Sequence, residues 1–215
     1  MCRLPAYNGT MKWVNHFWLA AVLVLGCSGS SDSNSTCSSG STCGGDITGH
    51  WTIASSCVSA TLSASDAASC PGATVSSTGL SVTGTGTYNA DKTYTEVSTL
   101  SGSLTVTTPL SCLTKNGVTP TCAQANDSLT QKTADPSYPY SAVACQAAGN
   151  GCSCQFTLRS TAMTETGTYT TSAGVITQQS STGEASTTNY CVSGNTLTQS
   201  PDPSSGLSGT ITLTK

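Results

Sequence analysis

Charge is scarce in this chain of 215 residues: only 8% are Asp, Glu, Lys or Arg, seven basic against ten acidic, for a net charge of −3. An acidic chain without a basic cluster lacks the electrostatic footprint of a nucleic-acid binder, so nucleic acid is not expected as a partner. Histidine is nearly absent, at two residues, His16 and His50. A lone His50 beside Trp51 supplies neither an oriented general base nor, without neutral His partners, an ordinary zinc ligand set. The abundant serines lack a Gly-x-Ser-x-Gly elbow and read as composition rather than as nucleophiles. The ten carboxylates, Asp32, Asp46, Asp66, Asp91, Glu96, Asp127, Asp135, Glu165, Glu184 and Asp202, are dispersed. A hydrolytic pair would meet in space rather than in sequence, and ordinary surface charge is the expectation for all ten. No catalytic residue, cofactor or metal is therefore expected. Aromatic residues make up 6% of the chain.

Long apolar runs are missing too. The longest, Phe17 to Gly26, is about half the ~20 residues that a membrane-spanning helix needs, and reads as the apolar region of a signal peptide. It follows a thin cationic segment carrying Arg3 and Lys12, and Met11-Lys12 offers a second plausible start. The run ends in Val24-Leu25-Gly26-Cys27. This resembles the lipobox of bacterial lipoproteins, a resemblance that implies removal of residues 1–26 and lipid attachment at Cys27. Several acyl chains on one Cys would anchor durably, because each buried methylene contributes about 0.8 kcal/mol. Ser28 at the next position implies, by the same resemblance, sorting to the outer membrane, with the membrane as partner through the anchor. Ser28 to Gly45 is almost all Ser, Gly, Thr, Asn and Cys, a flexible tether with a mean reach of about 23 Å.

Cysteine is the residue in surplus, at twelve. Setting aside Cys2 in the leader and Cys27 leaves Cys37, Cys43, Cys57, Cys70, Cys112, Cys122, Cys145, Cys152, Cys154 and Cys191, an even set that suits disulfides in an oxidising compartment. Cys112–Cys122 is expected as a local bridge and Cys37–Cys43 as a loop within the tether, unless those two staple the tether to the domain. Cys191 has to reach far back.

From Asp46 to Lys215 one domain is expected. Alternating Thr, Val and Tyr, broken by Gly, Asn and Asp, predicts strands at 49–57, 78–88, 93–100, 103–108, 154–164, 166–172, 174–180, 187–193, 195–200 and 208–214. Hairpin turns are expected within Tyr88–Tyr94 and Cys191–Leu197. Alternation stops in the insertion 109–152, where Thr121 to Lys132 predicts a short helix capped by Thr121, stapled down as a lid or plug. The fold class is all-β, an antiparallel up-and-down barrel of about 8–10 strands, with a β-sandwich as the alternative.

Gly49-His50-Trp51, opening the first strand, resembles the Gly-x-Trp of lipocalins, and Thr188-Asn189-Tyr190 resembles their Thr-Asp-Tyr. The resemblance implies a barrel whose Trp51 closes one end, with Gly49, Trp51, Thr188, Asn189 and Tyr190 as structural motif residues. Lys215 is the basic residue left to cap Trp51. An interior shaped by Val82, Tyr88, Tyr94, Leu104 and Phe156 would hold a small apolar or amphipathic ligand without chemistry. The alternatives are an adhesive or structural surface protein contacting proteins or glycans, and an envelope hydrolase.

Overall fold

Thr and Ser alternating with buried apolar side chains build ten strands: β1 (Gly49–Ala60), β2 (Thr74–Tyr88), β3 (Thr93–Pro109), β4 (Tyr140–Ala148), β5 (Gly151–Leu158), β6 (Ala162–Ser172), β7 (Val175–Ser180), β8 (Ala185–Ser193), β9 (Thr196–Pro201) and β10 (Leu207–Thr214). Among the described residues three short helices join them, α1 (Ala64–Ser69), α2 (Leu110–Leu113) and α3 (Cys122–Thr133). The computed structural model describes residues 40–201 and 206–215. Cys27, Cys37 and the lipobox lie outside the described residues.

All pairings between named strands are antiparallel and belong to one ten-stranded sheet, in place of the two stacked sheets of the sandwich alternative. The order β2-β1-β10-β9-β8-β7-β6-β3, with β3 returning to β2, closes a ring of eight strands. Strand β3 makes this possible by serving two partners. Its first half pairs with β6, Thr93↔Thr168 to Thr99↔Ala162, and its second half with β5, Ser103↔Thr157 to Pro109↔Gly151. The expected strands at 93–100 and 103–108 are thus one strand. The expected strand at 154–164 is two, parted at Arg159–Thr161 where the chain leaves β5 for β6.

The insertion holds more than the predicted helix. Helix α3 has the expected start, with Thr121 Oγ1 accepting from the Gln124 amide and Gln124 Oε1 accepting from the Thr121 amide, a reciprocal capping box. Strand β4 was not foreseen, because Tyr-Ser-Ala-Val-Ala-Cys-Gln-Ala-Ala has few β-branched residues. Its pairing with β5 and the Cys145–Cys154 cross-link hold it. Arg159 ties the unit together, donating to the carbonyls of Tyr138, Thr133 and Tyr140. Leu129, Tyr140, Phe156 and Leu158 of this unit share an apolar cluster with Ala60, Leu80 and Leu104 of β1–β3. The second cluster, Ile47, Trp51, Val82, Tyr88, Tyr94, Tyr169, Ile176, Tyr190, Leu197, Ile211 and Leu213, fills the ring toward its other end. The five interior residues expected to line one space therefore divide, Val82, Tyr88 and Tyr94 from Leu104 and Phe156.

Both expected local disulfides are replaced by longer ones. Cys70 pairs with Cys112 and Cys122 with Cys152, because Thr74↔Thr107 register brings the end of α1 beside α2, while α3 packs on β4 and its first turn reaches Gly151 at the start of β5. Cys43 pairs with Cys191, 148 residues away, rather than with Cys37. This is the stapling alternative. The amides of Cys43 and Gly44 donate to Tyr190 O, and the Val192 amide to Gly44 O. The Gly40 amide donates to Ser200 Oγ at 2.8 Å, so docking has begun by Gly40, inside the stretch read as tether. Cys57 is disulfide-bonded as well.

Candidate functional site

Trp51 is fully buried, as expected of a residue closing one end. Its indole Nε1 donates to Ile47 O at 2.6 Å, satisfying the one polar atom that burial would otherwise penalise. The Lys215 ammonium stands 4.5 Å from the Trp51 ring centroid and donates to Thr48 O at 2.9 Å. Gly49 sits at φ +131°, and a Cβ there would lie 3.0 Å from Lys215 Cε, so glycine lets the lysine stem reach the indole. Thr188 and Tyr190 are buried on the inner face and Asn189 is exposed. Tyr190 OH donates to Gly45 O at 2.9 Å, which makes it a fastener for the docked segment. His50 is exposed, 3.0 Å from Thr87 Oγ1.

Above this floor the ring interior turns polar. Alternation along β3 sends Tyr94, Glu96 and Ser98 inward, and all three are buried. On β6 the register partner of Glu96 is Glu165, so two carboxylates face the same interior from adjacent strands. Tyr88 OH donates to Glu96 Oε1, as does Gln178 Nε2 at 2.9 Å. Tyr94 OH donates to Glu165 Oε1. Gln199 Nε2 extends the chain by donating to Tyr88 OH at 3.1 Å. Gly86 is the register partner of Glu96 on β2.

Burial raises the Glu96 carboxyl to about 7, with the Glu165 charge adding to the rise and the Tyr88 and Gln178 hydrogen bonds opposing it. Burial, the Glu96 charge and the hydrogen bond to Glu96 hold the Tyr88 hydroxyl well above the ordinary tyrosine range. Tyr94 is raised by burial and by its bond to Glu165.

Among the described residues two buried side-chain polar atoms have no hydrogen-bond partner, Ser56 Oγ and Gln199 Oε1. Both residues face inward and flank Ile211, through the pairs Ser56↔Ile211 and Ile211↔Gln199. Gln199 is 1% exposed and Ser56 2%. Leaving such a group unpaired costs about 1–3 kcal/mol, so this interior presents acceptor capacity that the protein does not itself fill.

The carboxylate pair contradicts the reading of all ten acids as surface charge, since Glu96 is 3% exposed. The two residues are 69 positions apart, so scanning for neighbouring acids does not find them. The available signal was period two: Glu96 keeps step with Tyr94 and Leu100, and Glu165 with Met163 and Tyr169. Cys145, Cys152 and Cys154 are all spent in disulfides. Comparison of the chain with known protein families, with curated proteins and with solved structures returns no match.

Proposed function

We propose that this is a lipid-anchored bacterial envelope protein whose ring forms a lipocalin-like barrel that binds a small amphipathic ligand inside it, without catalysing a reaction. The observation that carries the binding half is the interior itself, a polar middle with two orphaned buried atoms above an aromatic floor. A binding interior is expected to be mostly apolar with a few convergent polar groups, and this one has both. Trp51 under Lys215 supports the lipocalin likeness. Anchoring rests on the Leu-Gly-Cys27 ending of the leader. Docking of Gly40–Gly45 onto β8 and β9 would then hold the domain close to the membrane rather than on a long free tether.

Expression with labelled palmitate, followed by titration of the intact chain in amphipol with the neutral fluorophore 1-aminoanthracene, tests both halves. The expected results are label lost in Cys27→Ser and saturable binding of one fluorophore per chain. Label that persists in Cys27→Ser overturns the anchor, and non-saturable fluorescence overturns the binding interior.

A further inference from the structure

Glu96, Glu165 and the Gln199 carbonyl bring only acceptor oxygens to one region of the ring interior, and their chemistry narrows the ligand. Glu96 and Glu165 are cross-strand neighbours on the inner face, and Gln199, whose amide nitrogen is committed to Tyr88, leaves its buried carbonyl oxygen without a donor. Among the described residues no lysine or arginine is buried. Lys92 lies over Tyr169 and Lys215 over Trp51, both with exposed side chains, and Arg159 is committed to carbonyls of the insertion. Glu96 is buried with Glu165, partly exposed, beside it, so the two charges repel each other, and no basic side chain among the described residues is buried to answer them.

We infer that the interior takes a small organic cation, a primary ammonium carried on a short apolar chain, with Glu96, Glu165 and the Gln199 carbonyl as its acceptors. An ammonium has three N–H donors and no acceptor, matching a site made of two carboxylates and one amide oxygen. Its apolar chain would lie against the tyrosines of the floor, Tyr88, Tyr94 and Tyr169, whose ring faces also favour a cation. A metal ion is a poorer fit. Among the described residues no three His, Cys, Asp or Glu side chains group to hold one. The inference rests on the interior-binding reading proposed above and names its ligand class.

The groups facing Glu96 are Tyr88 from β2, Tyr94 on its own strand, Glu165 from β6, Gln178 from β7 and, through Tyr88, Gln199 from β9 and Tyr169 from β6. The Glu96 carboxyl lies near 7. Ammonium affinity should therefore rise about tenfold from pH 6 to pH 8, as Glu96 ionises.

The test is calorimetric titration of the intact chain in amphipol with n-hexylammonium, n-hexanol and n-hexanoate. The expected result is one hexylammonium per chain, the other two at least tenfold weaker, and a loss of at least tenfold in Glu96→Gln. Glu165→Gln alters a partly exposed side chain and should weaken hexylammonium in the same direction, so the result does not depend on how the buried variant folds. Equal binding of hexylammonium and hexanol, unaffected by either variant, overturns the cation while leaving interior binding intact. If hexylammonium fails to bind where 1-aminoanthracene still does, the cation inference alone falls. If neither binds, the binding reading falls with it.

Discussion

Glu96 concentrates the electrostatic cost of the ring interior in one side chain. Its carboxyl is raised from 4.5 to about 7, chiefly by burial. Between those values the folded chain holds a proton that the unfolded chain has released, so the contribution of Glu96 to stability is fully present below about 4.5 and is lost as pH rises through 7. At 1.36 kcal/mol per unit the loss amounts to about 3 kcal/mol. Glu96→Gln keeps a carbonyl oxygen for Tyr88 and Gln178 and cannot ionise. Thermal unfolding at pH 5 and pH 8 should show the wild type losing about that much on the alkaline side, with Glu96→Gln nearly flat and the more stable of the two at pH 8. A wild type equally stable at both values would mean that Glu96 is not desolvated in this way.

Among the elements, the β2–β3 pair is the spine on which the site hangs, carrying Tyr88, Tyr94, Glu96 and Ser98. Its close approach depends on Gly84, at φ +148°, where a Cβ would sit 1.9 Å from the Val97 carbonyl oxygen. Gly84→Ala should cost about 2–4 kcal/mol, combining a strained backbone with a clash against main chain that cannot yield cheaply. Gly183→Ala, in open space at φ +95°, should cost only about 1 kcal/mol. Urea midpoints of the two variants check the contrast, and equal shifts would mean that the strands part easily at Gly84. Helix α3 was legible before folding, since Thr121-x-x-Gln124 announces its own cap. Strand β4 was not, because its conformation comes from pairing with β5 and from Cys145–Cys154 rather than from its residues.

At the scale of the whole molecule, cross-links join stretches far apart in sequence. Cys43–Cys191 closes a separation of 148 residues, whereas Cys145–Cys154 closes one of 9. On the chain-entropy estimate, removing the first as a double Ser variant should cost roughly 4–5 kcal/mol and removing the second roughly 3 kcal/mol. Guanidinium unfolding of the two double variants gives the ordering. A larger loss from Cys145–Cys154 would show that native packing of the β4–β5 hairpin outweighs loop closure.

The amino-acid sequence by itself determined the strand-rich class, most of the strand positions, the hairpins, the α3 cap and the use of cysteine for disulfides. Each of these follows from contacts within a few residues: alternation, turn chemistry and capping. Trp51 was legible as a core residue of the first strand, and Lys215 as its one basic neighbour to be. Only the tertiary structure decided how the sheet closes, since that depends on β3 dividing its length between β6 and β5. Closure also decided the disulfide partners, because ring register sets Cys70 beside Cys112 and Cys43 beside Cys191. It decided the candidate site for the same reason. Glu96, Glu165, Gln178 and Gln199 come from four strands spread over a hundred residues, and ordinary polar residues of separate strands become one polar set when the ring brings their inner faces together.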